Sequence, residues 1–387
     1  MDKVLGDRPV SDGAKALQGT IPGLQITYGS GQPGGTTDIQ IRGFESINGG
    51  SPLILVNNVP MDINDINPKD IESVTVLKDA SAASIYGARA AFGVILITTK
   101  TGSKNTPTRV NYSTTIGYNK PTTRPKKASP KDFVQALLDW GQATYWTGEN
   151  TEEWLEYINE YNSNPAAYPE GYIVGENDFK YFTRENDVYG EFINNKGFNQ
   201  LHNLSVSGGS AKTFYRVSLG VTDEDGIMVG KNDTYRRYNA NINLTSDISE
   251  KLSSTFNIFY KNGLRKIPLS GDIESLYYSA INFHSAIPTG YTDYNGEQVP
   301  YSTPANTVLL TPPRKNYDEV IRLFGKATYK PIKKVDLNAE YTFEKTNTKS
   351  EDPSYAPAFM SPTTQVYTAY NALQSSYTQR SNEKNYL

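Results

Sequence analysis

From Arg109 onward, segments recur in which apolar and polar residues alternate with a period of two. Arg109–Tyr118 sets Val110, Tyr112, Thr114, Ile116 and Tyr118 against Asn111, Ser113, Thr115 and Gly117. Tyr235–Leu244 sets Tyr238, Ala240, Ile242 and Leu244 against Arg237, Asn239, Asn241 and Asn243. Val335–Glu344 is the clearest, with Val335, Leu337, Ala339, Tyr341 and Phe343 facing away from Asp336, Asn338, Glu340, Thr342 and Glu344. Successive side chains of a strand point to opposite faces, so these segments predict strands of a sheet with one apolar and one polar face. Leu201–Ser207, Thr213–Thr222, Lys251–Lys261 and Ile321–Lys330 read the same way, and Ser376–Leu387 begins one more.

Alternation alone also suits a β-sandwich. The connections separate the two. In chain order they run long (119–200), short (208–212), medium (223–234), short (246–250), long (262–320), short (331–334) and long (345–375). Tight turns at one end and large loops at the other are the habit of a membrane β-barrel, whereas a sandwich has no reason to gather its long loops at one end. The pattern therefore predicts barrel strands.

Before Gly102 the pattern differs. Ile71–Lys78 reads as a strand, Ser81–Tyr86 as an Ala-rich helical turn, and Gly93–Thr99 as a second strand, with Gly87 and Gly93 at the reversal. Ser11 is placed to cap a short helix reaching Gln18, and Leu24–Tyr28 reads as a strand. The stretch Gly29–Gly35 contains a G-x-G-x-x-G spacing, but a dinucleotide site needs a helix to open there. Pro33 and the strand-like Asp38–Gly43 predict a turn between strands instead. Asp62, Asn64, Asp65, Asn67 and Asp70 imitate a calcium loop, yet the turn glycine is absent and Pro68 breaks the spacing. Turn chemistry is the preferred reading. In the first long connection, Ser129-Pro130-Lys131-Asp132 predicts a capped helix carrying Phe133, Ala136, Leu137 and Trp140. Trp146, Trp154, Tyr157, Tyr161 and Tyr168 around it suit either a sugar-stacking surface or loop residues packing on one another.

Composition sharpens this picture. Among 387 residues there are 28 tyrosines against 14 phenylalanines and three tryptophans. Tyr favours boundaries: sheet surfaces, membrane interfaces and carbohydrate platforms. The net charge of −3 and pI near 5.7 carry no nucleic-acid footprint. No cysteine is present, which removes disulfides and thiolate metal sites. Mean hydropathy is −0.55 and no run is long and apolar enough for a transmembrane helix, which leaves a barrel open because its strands dilute the signal. His202 and His284 stand in no triad or ligand spacing, and no P-loop, G-x-S-x-G or H-E-x-x-H occurs. Asp336, Glu340 and Glu344 share a strand face, which in a barrel lines a polar lumen and reads as solvated charge. No catalytic residue, metal site or cofactor is predicted.

Four blocks in order carry a family resemblance: Ala16–Thr27, Asp38–Phe44, Pro52–Asp62 and Ile71–Gly102. Together they resemble the plug domain of TonB-dependent outer-membrane transporters, in the form found in SusC/RagA-type nutrient importers. The resemblance implies an α+β plug over residues 1–103. It is followed over 104–387 by an incomplete antiparallel transmembrane β-barrel, the first seven or eight strands of a 22-stranded type. It implies TonB-dependent import of oligosaccharides or peptides across the outer membrane of a Gram-negative, Bacteroidetes-type bacterium. The implied partners are a SusD-like surface lipoprotein, outer-membrane lipid and the TonB–ExbB–ExbD complex, whose Ton box would lie outside this chain. The first residues show no signal-peptide pattern, so this reading expects the chain to start downstream of its native beginning. In the family a basic residue after the I-R-G strand and another after the V-L strand pair with carboxylates of the barrel wall; here these are Arg42 and Lys78. Lys78 stands where many relatives have Arg, so a two-pronged lock is not expected there. Substrate-binding residues are not assigned. A siderophore or vitamin receptor of the same superfamily and a soluble Tyr-rich adhesin or carbohydrate-binding module are the competing readings.

Overall fold

Among the described residues the N-terminal unit opens with a short helix, α1 (Gly13–Leu17), and an antiparallel pair, β1 (Leu24–Tyr28) and β2 (Thr37–Ile41). A mixed sheet follows, built from β3 (Leu53–Val56), β4 (Val59–Pro60), β5 (Ile71–Leu77) and β6 (Val94–Thr99) in the order β4-β3-β6-β5. β6 runs parallel to β3 and antiparallel to β5. The described end of the predicted helical turn between β5 and β6 lies in a 3₁₀ segment, Ser84–Ala90. The structure is a computed structural model that describes residues 11–386 apart from 12, 29, 36, 42–49, 79–83, 146–148, 177, 195, 269–272, 333, 354, 370 and 373–375. Leu17, Ile26, Ile41, Ile63, Ile71, Ile95 and Ile97 close a core between helix and sheet. Each such buried aliphatic side chain is worth roughly 1.5–3 kcal/mol of transfer free energy.

Eight long strands then form one sheet. They are β7 (Thr106–Asn119), β8 (Gly197–Gly209), β9 (Thr213–Asp225), β10 (Thr234–Asp247), β11 (Leu252–Ile267), β12 (Arg314–Ile332), β13 (Val335–Glu351) and β14 (Tyr377–Tyr386). Each pairs antiparallel with the next in sequence, giving the order β14-β13-β12-β11-β10-β9-β8-β7. The sheet is not closed: β7 and β14 are its edges.

The alternation holds, with an inverted sense of burial. Arg216, Ser218, Arg237, Asn239, Asn241, Asn243, Lys261, Arg322 and Glu344 are buried, on the face that holds the N-terminal unit. On the other face Val110, Leu204, Leu219, Leu244, Phe256, Leu323 and Leu337 are exposed. A protein dissolved in water normally buries the second set and exposes the first. No helix among the described residues is long and apolar enough to cross a membrane, which says nothing about a barrel.

Several strands outrun their predicted ends. β11 continues through Asn262 to Ile267, β12 starts at Arg314, and β13 reaches Glu351. These extensions carry polar residues on both faces, so hydropathy alternation fades while the backbone ladder continues, because ladder hydrogen bonds need no apolar side chain. The long connections shrink accordingly to 120–196, 268–313 and 352–376, all at one end of the sheet.

Those connections fold against one another. Helices α2 (Pro130–Asp139), α3 (Thr151–Ser163), α4 (Val188–Phe192), α5 (Ile273–Ile281) and α6 (Pro304–Leu310) lie in them. One shared core takes Val134, Trp154, Ile158 and Phe182 from the first connection, Ala286 and Tyr301 from the second, and Met360 from the last. A second joins Tyr189 and Phe192 to Met228, Leu276, Ile287 and Val308. In α2 the Ser129 cap and Pro130 stand as predicted, with Ser129 Oγ accepting from the Asp132 N–H at 3.1 Å. The buried stripe, however, is Val134 and Leu137, and Trp140 is left 78% exposed.

Candidate functional site

A dense set of polar contacts lies where the N-terminal unit meets the inner face of the sheet. They centre on residues 62–70, the stretch that imitates a calcium loop. Two 3₁₀ turns shape it, Ile63–Asp65 and Pro68–Asp70. Asp62 Oδ1 caps the first by accepting from the Asn64 N–H at 2.9 Å. Asn67 Oδ1 caps the second by accepting from the Lys69 N–H at 3.0 Å, with Pro68 pre-set at the first position. Turn chemistry, the preferred reading, is what these residues perform.

The turns aim two carboxylates at the wall. Asp70 accepts from Arg216 Nη2 at 2.9 Å on one oxygen and from Ser218 Oγ at 2.8 Å on the other. Its main-chain oxygen accepts from the Lys100 N–H at 2.8 Å, tying the same residue to the chain just past β6. Asp65 accepts from Lys261, whose ammonium also meets Asp318 of β12. Burial holds the Asp65 carboxyl above the usual aspartate range, against the opposing pull of Lys261.

Main-chain carbonyls carry the remaining contacts. Arg237, 1% exposed, reaches the Asn64 carbonyl with Nη1 at 2.6 Å and the Ser11 carbonyl with Nη2 at 2.5 Å. Asn239 Nδ2 donates to the Asp65 carbonyl at 3.0 Å. Arg322 donates to the Pro60 carbonyl at 2.7 Å while its Nε is held by Glu344 at 2.9 Å. Two glycines allow the close approach. A Cβ on Gly220 would lie 2.5 Å from Asn67 Nδ2. Gly34 has φ of 59° and its missing Cβ would sit 2.5 Å from the Tyr235 ring.

The glycine-rich loop joins β1 to β2, and a strand, not a helix, follows it, so it has no dinucleotide geometry. It docks on the upper wall instead: the Gly34 N–H donates to Glu224 at 3.1 Å, and Gln32 Oε1 accepts from Arg265 at 2.8 Å. Beside it a cleft of about 1100 Å³ opens, lined by Lys15, Tyr28, Gln32, Tyr118, Asn199 and Tyr277 among others. A smaller cavity of about 180 Å³ lies lower, between Met61 and Asp70 on one side and Asn241, Asn257 and Phe259 on the other.

Of the two residues predicted to hold the plug, one is described. Arg42 lies outside the described residues. Lys78 donates to the Pro22 carbonyl, inside the N-terminal unit. In the described contacts the wall supplies the cations, and the N-terminal unit supplies carboxylates and carbonyls. The available signal was an Arg or Lys at an inward position in mid-strand, as at Arg216, Arg237, Lys261 and Arg322. Of the three carboxylates read as solvated, Asp336 and Glu340 are partly or largely exposed beside Lys330 and Lys326. Glu344 is buried between Arg322 and Lys384.

The aromatic residues of the first connection build its core. Trp154 is fully buried and its Nε1 donates to the Phe182 carbonyl at 2.7 Å, which takes it off any sugar platform. Tyr157 packs on Tyr181 with ring centroids 5.1 Å apart, Tyr161 accepts from Arg184 at 3.4 Å, and Tyr168 donates to Glu160. Trp146 lies outside the described residues. His284 stacks on Phe133 and meets Trp154 edge-on, and burial pushes its pKa down to about 3, so it stays neutral. His202 is on the outer face, its Nδ1 2.8 Å from the Tyr112 hydroxyl. Among the described residues no group of three or more acidic or His side chains is placed to hold a metal.

Residues 2–94 match the TonB-dependent Receptor Plug Domain family. The TonB-dependent receptor SusC of Bacteroides thetaiotaomicron is 30% identical over 283 residues, covering 66% of this chain and 23% of that protein. TonB-dependent receptor P26 of Formosa agariphila is 31% identical over 316 residues, covering 78% of this chain and 29% of its own length. The chain thus spans between 23% and 29% of these curated relatives. Among solved structures, the RagAB peptide importer in its open-open state superposes with a TM-score of 0.72 at 24% identity, over 90% of this chain and 40% of that one. The ferric enterobactin receptor PfeA of Pseudomonas aeruginosa superposes at 0.51 with 14% identity, over 99% and 44%. At those identities the two structures speak for the fold alone.

Proposed function

We propose, for a chain that belongs to the SusC-like TonB-dependent receptors, that it supplies the plug and eight wall strands of an outer-membrane importer. The observation that carries this reading is the inverted sheet: a polar inner face gripping a separate α/β unit, and an apolar outer face left for lipid. A water-soluble adhesin would have to cover Val110, Leu204, Leu337 and their neighbours with protein. The relatives are TonB-dependent receptors rather than enzymes.

In this reading the plug covers residues 1–103 and the wall 104–387. The polar plug–wall contacts block the lumen at rest. Force from a TonB–ExbB–ExbD complex breaks a limited number of hydrogen bonds and frees a path, while the aliphatic core of the plug holds its own fold. The packed connections at the loop end form the rigid rim on which a SusD-like lipoprotein sits. The cargo is an oligosaccharide or a peptide; the RagAB neighbour is named a peptide importer. The 30–31% identity to SusC-type proteins favours this over a siderophore or vitamin receptor. Arg42 and Lys78 are proposed as further plug contacts, to wall strands other than these eight. Replacing both with Gln in the full-length protein then raises single-channel conductance, and unchanged conductance removes them from that role.

The deciding experiment is uptake by cells expressing the full-length protein. Growth on an oligosaccharide or a peptide mixture is expected to need this protein, the neighbouring lipoprotein and an intact TonB. Uptake that persists without TonB overturns the proposal.

A further inference from the structure

Three parts of the chain wall the cleft of about 1100 Å³ beside the glycine-rich loop. The N-terminal unit contributes Lys15 and Gln18, the sheet Asn199 and Glu224, and the loop layer Lys120 and Tyr277. Tyr277, on α5, is a braced surface. Its ring packs on Tyr189 with centroids 5.4 Å apart and meets Phe192 edge-on at 5.8 Å, and both of those residues are buried. The layer thus holds one part of a half-buried ring while the rest borders the cleft. A tyrosine held this way offers an apolar face and a hydroxyl with little side-chain entropy left to lose. Apart from Ile227 and Pro121, the described lining residues present hydroxyls, amides, aromatic rings, glycine backbone and charge. That suits a sugar, whose ring carries C–H faces between hydroxyls. It leaves the aliphatic side chains of a peptide almost nothing to bury against.

The charge around the cleft is one-sided. From Asn119 to Lys131 the chain carries Lys120, Arg124, Lys126, Lys127 and Lys131 and no acid. Residues 119–123 line this cleft and 124–127 line an adjoining cavity of about 700 Å³, so the basic strap runs from one to the other. Over the two cavities the described lining holds five cations, counting Lys15, against the carboxylates of Glu224, Glu185 and Asp187. Glu224 accepts from the Gly34 N–H at 3.1 Å, and Glu185 is exposed. Asp187 accepts from the Gly190 N–H at 2.9 Å and lies 3.8 Å from Arg124. Lys127 turns to the Ile281 carbonyl at 2.8 Å. Among the described residues Lys120 and Lys126 have no carboxylate partner. Arg124 stands near the braced ring: burial pushes the Tyr277 hydroxyl up, and the Arg124 guanidinium pulls against it.

We infer, building on the importer reading above, that this cleft takes an anionic oligosaccharide, with a sugar ring on Tyr277 and its carboxylate or sulfate groups on Lys120 and Arg124. The amides and hydroxyls of the lining serve the sugar hydroxyls. An ammonium or guanidinium facing an anion makes a hydrogen bond roughly twice as strong as a neutral pair, so the strap separates acidic sugars from neutral ones.

The test measures equilibrium binding to the purified full-length protein. The probes are short oligosaccharides from pectin and alginate (carboxylated) and from carrageenan (sulfated), with maltohexaose, cellohexaose and a tryptic casein digest beside them. At least one acidic set is expected to bind at least about tenfold more tightly than the neutral sugars and the peptides. Which set it is tells carboxylate from sulfate. K120Q/R124Q and Tyr277→Ala are each expected to weaken that binding about tenfold. Tyr277→Phe, which keeps the ring, and Lys131→Gln, outside the lining, are expected to bind as the wild type does. Binding of neutral sugars or peptides as tight as that of the acidic sets overturns the assignment. So does the absence of binding by every acidic set, or acidic binding that both K120Q/R124Q and Tyr277→Ala leave unchanged. Uptake that persists without TonB fails the importer reading instead, so the two failures are told apart.

Discussion

Asp70 concentrates the logic of the interface in one side chain. Its carboxylate is nearly buried, takes one donor from Arg216 and one from Ser218, and belongs to the N-terminal unit while both donors belong to the wall. Removing one partner of such a pair leaves the other charged and dry, at a cost of about 3–5 kcal/mol. Asp70→Asn in the full-length protein is therefore expected to loosen the plug, seen as raised single-channel conductance and faster hydrogen exchange in residues 62–70. Asp70→Leu with Arg216→Met, which removes both charges, is expected to recover much of the protection. Wild-type exchange in Asp70→Asn would show that the contact holds nothing. Arg237 makes a related point: Arg237→Lys keeps the charge but loses the fork that spans Ser11 and Asn64, and about 1–3 kcal/mol with it.

At the scale of elements, the loop layer carries its own titration. Glu149, just before α3, is fully buried, has no hydrogen-bond partner among the described residues, and is pushed up to about 8 by burial. Because folding favours its protonated form, its contribution is complete below about pH 4.5, the ordinary glutamate value, and fades as pH rises through 8. Protease resistance of residues 120–196 is expected to fall between pH 5 and 9 by the equivalent of about 2–4 kcal/mol. Glu149→Gln is expected to flatten that dependence, and resistance that rises with pH would contradict the assignment. The same layer fixes orientation. An epitope inserted at the exposed turn Asn295-Gly296, or at Asn150, is expected to be reached by antibody on whole cells. One inserted between Ser210 and Lys212 is expected to be reached only after the outer membrane is opened. Asn306 is a poor insertion point, since it is buried and donates to the Gly290 and Tyr301 carbonyls.

For the molecule as a whole, the open sheet sets the behaviour of this chain in isolation. β7 and β14 each present unpaired backbone groups, which are costly in lipid and a template for aggregation in water. The outer face adds uncovered Val110, Ile116, Leu219, Leu323 and Leu337. Expressed alone, the 387-residue chain is expected to be insoluble or oligomeric and inactive in transport. Residues 1–103 are expected to behave better, because Ile63, Ile71, Ile95 and Ile97 close a core without the wall. A monodisperse monomer of the whole chain that melts cooperatively without detergent would restore the soluble β reading.

The period-two segments and the order of their connections were enough to find all eight strands and their meander, since pairing of sequence neighbours is the shortest route to a sheet. The four plug blocks were equally legible, because tight turns and buried strands constrain local residue choice. What local pattern did not contain was which polar residues meet. Asp65 and Lys261, or Asp70 and Arg216, are separated by 196 and 146 positions, and nothing near either partner marks it as buried. Glu344 read as solvated and is dry, Trp154 suited a platform and is core, and Lys78 turned inward to Pro22. Alternation tells which face a side chain takes. Only the docking of a second body on that face decides whether its charge meets water or a partner, because desolvation is set by what covers the group and not by its neighbours in the chain.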